Sequence, residues 1–175
     1  MGFGWISSLL KIGFGFSIAG ATLVGQHLGA KNTDQAKRAG WGAMRLSIIS
    51  MTFFGIIITI FAEPLARFMI DNDEVVRLTV IFIWLLGSMQ PLMAIEFSLG
   101  GALRGAGDTK TPLAITLTCL LFIRVFLAVI FFLLDARIEV IFSTLVADYV
   151  VKGFLYVARF KSDKWMSALK SKEAV

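Results

Sequence analysis

Residues 101–112 read Gly-Ala-Leu-Arg-Gly-Ala-Gly-Asp-Thr-Lys-Thr-Pro. Apolar chain lies on both sides: residues 78–95 carry no charge, and neither do residues 111–123. A short glycine turn between two segments of near-membrane length predicts a helical hairpin with its tip at a bilayer surface. Thr111 followed by Pro112 reads as the start of the second helix, with threonine as the cap and proline at the first helical position.

The rest of the chain follows the same plan. Its 175 residues are 57% hydrophobic and 17% charged, with a mean hydropathy of +0.81. So few charges cannot cover the surface of a soluble domain of this size. Residues 46–62 form a 17-residue run without Asp, Glu, Lys or Arg, and residues 12–30 form a run of 19. Such runs match a hydrocarbon core roughly 30 Å thick at about 1.5 Å per helical residue. The chain therefore reads as an all-α integral membrane protein with five transmembrane helices. These are expected over residues 4–28, 39–62, 76–103, 112–134 and 138–158, followed by a basic tail over 161–175. A membrane β-barrel would alternate in segments of about 10 residues, and that pattern is missing. Thr33 is expected to cap the helix that begins at Asp34, Pro64 to end the second segment, and Pro91 to kink the third.

Charge sets the orientation. The turn from Lys31 to Arg38, the turn from Arg104 to Lys110 and the tail carry ten basic residues. The opposite ends carry three, Arg67, Arg77 and Arg137, beside five acids. The positive-inside rule puts the first group, and the C-terminus, in the cytoplasm of a multi-pass protein of the cell membrane. The N-terminus then starts outside without a signal sequence, so a helix is expected upstream or the chain is a fragment.

Two turns echo one another. Leu-Val-Gly-Gln-His-Leu-Gly-Ala-Lys-Asn-Thr at 23–33 aligns with Leu-Gly-Gly-Ala-Leu-Arg-Gly-Ala-Gly-Asp-Thr at 99–109. Glycine ends helices, and Asn or Asp with Thr suits the turn that follows, so chemical convergence explains the match as well as a repeat does.

Several functions are excluded. The net charge of +5 matches the positive-inside bias, and no aromatic-interleaved basic patch points to nucleic acid. A metal centre lacks ligands, since His27 is the single histidine and Cys119 the single cysteine. No phosphate-binding loop, His-Glu-x-x-His or nucleophile elbow occurs, so the chain reads as a non-enzyme without a resident cofactor.

The two turns, together with Gly-Phe-Gly-Phe-Ser-Ile-Ala at 13–19 and Thr-Leu-Val-Gly-Gln-His-Leu-Gly-Ala at 22–30, resemble the MATE family of multidrug and toxic compound extrusion transporters. The carrying positions include Gly25, Gln26 and Gly29 in the first turn. In the second they are Gly101, Arg104, Gly105, Gly107, Asp108, Thr111 and Pro112. The order of segments resembles helices 8 to 12 of that family. The resemblance implies five helices of an incomplete six-helix lobe, the C-terminal one, with the N-terminal lobe missing. It implies secondary antiport of small organic, often cationic, compounds in exchange for sodium ions or protons. A lipid-linked precursor flippase of related fold, or a non-transporting membrane subunit or truncation product, are the alternatives.

Ionisable residues within a bilayer are costly and are functional candidates by default. Glu96, close to the Pro91 kink, is a candidate for the ion or substrate pathway, because a kink frees carbonyls that can join a carboxylate around a cation. Its structural alternative is a pair with a basic neighbour. The resemblance implies an acidic cation site about one turn earlier, near Met93, which cannot serve. Gln90 is a polar companion at the kink. Asp148 and Lys152, four apart, share a helix face and are expected to pair, with Lys152 snorkelling toward the cytoplasm; a proton relay is the alternative. Arg124 is expected to pair with Asp148 or Glu96, or to repel cations from part of the cavity. Gly25-xxx-Gly29 and Gly101-xxx-Gly105 are expected to allow close helix packing.

Overall fold

The computed structural model describes residues 4–69, 72–134 and 138–166; of residues 4–10, 69 and 138–143 it describes the backbone alone. All regular elements among them are helical. Helix α1 spans Gly4–Gly29, α2 Thr33–Ile60, α3 Ala62–Met69, α4 Asp73–Ser88 and α5 Gln90–Gly105. Helix α6 spans Lys110–Thr118 and passes through a π-helical segment, Cys119–Val125, into α7, Phe126–Leu133. Helix α8 spans Ile138–Lys161, and a 3-10 turn covers Lys164–Met166. The helices Thr33–Ile60 and Lys110–Leu133 are long and apolar enough to cross a membrane, and α4 and α5 taken together are too, bent by 48° at their junction as a broken span or a re-entrant loop is. With their apolar side chains facing outward along α2 and α6 to α7, they mark a membrane protein of all-α class.

Several boundaries differ from expectation, each for a local reason. Asn32, not Thr33, caps α2, accepting the Gln35 N–H at 3.1 Å, and α2 runs unbroken from the turn into the membrane. The break after α2 falls at Phe61, and Pro64 sits inside the first turn of α3, where its missing N–H costs nothing. Helix α6 begins at Lys110, so Thr111 is not the cap. The carboxylate of Asp108 takes that part, accepting the Thr111 N–H at 3.2 Å and its hydroxyl at 2.7 Å. The bend before Pro91 is present at Met89, between α4 and α5. Asp71, Asp135, Arg137, Lys170 and Lys172, used in the charge count, lie outside the described residues.

The echoed turns share one backbone geometry. After α1, the N–H groups of Ala30, Lys31 and Asn32 donate to the carbonyls of Gln26, Leu28 and His27. After α5, those of Ala106, Gly107 and Asp108 donate to Ala102, Arg104 and Leu103, in the same four-, three- and five-residue steps. The left-handed residue is Lys31 (φ 58°) in one and Gly107 (φ 85°) in the other. The side chain that follows, Asn32 or Asp108, caps the next helix in both.

Helix α5 lies at the centre of the bundle against α1, α2 and α8. Its contact with α1 is backbone to backbone. A Cβ on Gly101 would collide with the Ser17 carbonyl, and one on Gly105 with the Ala21 carbonyl. One on Gly20 would stand 2.8 Å from the Ser98 carbonyl. The pattern 101–105 therefore packs as its spacing implies. In 25–29 only Gly25 does so, with a Cβ 3.1 Å from the Gly105 carbonyl, while Gly29 faces open space.

The three basic turns meet at one end of the bundle. Lys37 pairs with Asp163 at 2.7 Å, and Arg159 with Asp108 at 2.6 Å. Trp165 is fully buried, stacked on Phe160 at 4.8 Å, and donates to the Phe160 carbonyl. The tail is thus docked as far as Met166 and is not a free solvated segment up to that point. Burial pushes the Asp108 carboxyl up, but the hydrogen bonds from Thr111 and Arg159 outweigh it and hold the group below the usual carboxylate range.

Two tests follow from this packing. Leucine at Gly101 forces α1 and α5 apart and is expected to cost about 1–3 kcal/mol or more in thermal unfolding of the detergent-solubilised protein, whereas Gly29→Ala changes little. Asp108→Asn is expected to cost about 1.5–3 kcal/mol near neutral pH. Because the folded carboxyl is depressed, that difference is present above its unfolded value and shrinks as pH falls below about 4. A gap that stays constant down to strong acid contradicts the assignment.

Candidate functional site

Helix α8 carries Asp148 and Lys152 one turn apart, and Lys152 Nζ lies 2.9 Å from Asp148 Oδ2. Asp148 is fully buried and Lys152 is 4% exposed. From α5, Glu96 brings its Oε1 to 3.9 Å from the same Nζ, with a fifth of its side chain exposed. The Tyr149 ring stands 5.2 Å from the ammonium. Two carboxylates share one ammonium, so the cluster carries one unit of negative charge when both are ionised. Among the described residues neither Asp148 oxygen receives a well-formed hydrogen bond; Oδ2 has only the ion pair and Oδ1 has no donor.

Small residues let these groups meet. Gly153 of α8 faces Leu92 and Ile95 of α5, where a Cβ would sit in ordinary contact at 3.8 and 4.0 Å. Gly100 of α5 faces the Tyr156 ring, where a Cβ would make contact at 3.4 Å. The Tyr156 hydroxyl donates to the Pro112 carbonyl at 3.3 Å and shares a hydrogen bond with Thr116 at 3.2 Å, tying α8 to α6. The π-helical segment then packs on α8, with Cys119 buried between them.

Glu96 and Lys152 are thus brought together by folding. Lys152 does not snorkel: its ammonium stays with the two carboxylates because a partner lies within reach in the bundle. Arg124 pairs with neither Glu96 nor Asp148, and makes no ion pair within 4 Å among the described residues. It is half-buried at the end of the π-helical segment, and its charge is felt at Glu96 and Tyr149 without contact.

Gln90 belongs to the bend and makes no hydrogen bond to the cluster. It is 2% exposed, packed over Gly55 of α2, with its Nε2 donating to the Leu86 carbonyl at 3.4 Å and its Oε1 unpartnered. Beside the bend is a cavity of about 290 Å³ lined by Thr52, Thr59, Trp84, Gly87 and Pro91. The turn residues Gly25, Gln26, Gly105, Gly107, Asp108, Thr111 and Pro112 stand at the basic end of the bundle. Arg104 there donates to the Ser17 hydroxyl at 2.9 Å.

Residues 2–130 match the MatE family. The chain belongs to it. Over 161 residues this MatE chain is 34% identical to the probable multidrug resistance protein NorM of Thermotoga maritima, covering 87% of the chain and 33% of that protein. It is 31% identical over 102 residues to the multidrug resistance protein NorM of Aliivibrio fischeri, covering 58% of the chain and 22% of that protein. It is also 31% identical over 107 residues to the probable multidrug resistance protein YoeA of Bacillus subtilis, covering 61% and 22%. The chain spans a third or less of the length of these relatives.

Sequence reasoning missed three parts of the site. The Glu96–Lys152 contact spans 56 residues and leaves no periodic trace. Tyr149 was not singled out among the apolar residues around it. The π-helical segment is written in the same apolar letters as the helices on either side. The useful signal was the four-residue spacing of Asp148 and Lys152, which placed one end of the cluster.

Removing one member of a buried ion pair costs about 3–5 kcal/mol, whereas replacing both with apolar groups is close to neutral. In a Glu96→Gln background, Asp148→Leu is expected to destabilise by about that amount, and Asp148→Leu with Lys152→Met to recover most of it. Additive losses in a double-mutant cycle rule out the pair.

Proposed function

We propose that this MatE chain forms most of the C-terminal lobe of a secondary antiporter in the cell membrane. The antiporter exports small organic compounds, often cationic, in exchange for sodium ions or protons. The observation that carries this reading is the buried Glu96–Lys152–Asp148 cluster. A net negative charge inside an apolar bundle is costly unless a cation, inorganic or organic, comes and goes. The names of the relatives, multidrug resistance proteins, support drug-like substrates. The basic turns gathered at one end support a cytoplasmic face there and a cytoplasmic C-terminus. The partner is an N-terminal lobe, since alternating access needs two bodies that rock about a site between them. The bent α4–α5 span and the π-helical segment are the places where this lobe would yield.

Exchange would work by differential binding. The inorganic ion stabilises one orientation of the lobes and the organic cation the other, so each drives the other's passage. Proteoliposomes holding the protein joined to its N-terminal lobe are expected to export a fluorescent organic cation under an ion gradient. Export should fall to background when the sodium and proton gradients are dissipated, and also in Glu96→Gln. Export that persists without either gradient overturns the proposal.

A further inference from the structure

We propose that the Glu96–Lys152–Asp148 cluster is a proton site, and that Lys152 is the residue that denies it to sodium. This rests on the antiporter reading and goes beyond it by naming the ion. The ammonium of Lys152 stands where a bound metal cation would have to stand, 2.9 Å from Asp148 and 3.9 Å from Glu96. It is a tethered cation already in place. For sodium to bridge Asp148 and Glu96, Lys152 must leave them, yet it is 4% exposed and has no third carboxylate within 4 Å among the described residues; from the exposed side a sodium ion reaches the carboxylate of Glu96 but not that of fully buried Asp148. Stranding a buried charge costs several kcal/mol.

A proton needs no such room. It passes from water to the carboxylate of Glu96, the more loosely held and more exposed of the two. The cluster becomes neutral, with Lys152 kept by Asp148. The new O–H is a donor in a cluster short of donors, where fully buried Asp148 has an oxygen without one. An organic cation that reaches Glu96 from its exposed side neutralises the same charge, so it displaces that proton, one charge for one charge. The charged groups acting on Glu96 are Lys152 and Asp148 from α8, Arg124 from the π-helical segment and Arg104 from α5 itself. The phenols of Tyr149 and Tyr156 and the Cys119 thiol also feel it. Helices α1 and α2 offer α5 the hydroxyls of Ser17 and Ser47.

The test is direct binding to the purified chain in lipid nanodiscs, which needs no transport. Radioactive sodium binding and proton uptake are measured for the wild type, Glu96→Gln, Lys152→Arg and Lys152→Gln. The wild type and Lys152→Arg are expected to show no saturable sodium binding, and Lys152→Gln to acquire it. Glu96→Gln is expected to take up one proton fewer than the wild type on acidification and to lose the carboxylic-acid infrared band assigned to that site. Saturable sodium binding by the wild type that Glu96→Gln abolishes overturns the proposal, as does unchanged proton uptake in Glu96→Gln. A folded Lys152→Gln that binds no sodium overturns the role given to Lys152. If Lys152→Gln does not fold, the wild type and Glu96→Gln decide. A chain that takes up its proton while the two-lobed protein exports nothing defeats the antiporter reading and leaves this one standing.

Discussion

A lysine buried in an apolar bundle has to be neutralised where it stands, and Lys152 imposes that demand on the rest of this lobe. Its ammonium is held by Asp148 one turn away and by Glu96 from another helix. The first contact follows from helical periodicity alone. The second requires α5 and α8 to lie close, which the small residues Gly100 and Gly153 permit. It also requires α5 to be held from behind. That support is the α1 backbone, against which Gly101 and Gly105 leave no space for a side chain. In lipid there is little hydrophobic gain in pressing helices together, so such close van der Waals contact is a main source of cohesion. The cluster is therefore anchored on its α5 side by a rigid crossing.

The two ends of the bundle differ in character. At the basic end, paired turns of one geometry, two salt bridges and a buried tryptophan bind α1, α2, α5, α6 and α8 into one cap. At the other end, Arg67 pairs with Glu63 and Asp73 in ion pairs more than half exposed, which add little stability. Between the ends lie the α4–α5 bend and the π-helical segment, where the backbone departs from regular α-helix. The charge cluster involves α5 beyond the bend and α8 against the π-helical segment. An element firm at one end and interrupted in the middle is suited to small rotations about a fixed base.

The fold was legible in the sequence wherever the cause is local. Uninterrupted apolar runs announced the membrane helices, Pro91 announced the bend, and glycine with Asp or Asn announced the two turns. The caps were misplaced by a residue or more because several adjacent polar side chains can each serve, and backbone geometry chose Asn32 and Asp108. Half the site was legible for the same reason, since Asp148 and Lys152 lie one helical turn apart. The other half was not. Whether Lys152 would turn to the surface or inward depended on Glu96 arriving from α5, and whether Arg124 would find a carboxylate depended on the path of the π-helical segment. Those outcomes are set by packing between distant stretches, which hydrophobic periodicity does not record.

The lobe turns on one ammonium shared between two carboxylates from different helices. Solid-state magnetic resonance on the protein in lipid, with labelled lysine nitrogen and carboxyl carbon, measures it directly. Dipolar contacts are expected from Lys152 Nζ to the carboxyl carbons of both Asp148 and Glu96, the first stronger, in keeping with N–O distances of 2.9 and 3.9 Å. A Lys152 nitrogen that contacts neither carboxyl and exchanges with water as the surface lysines do would contradict it.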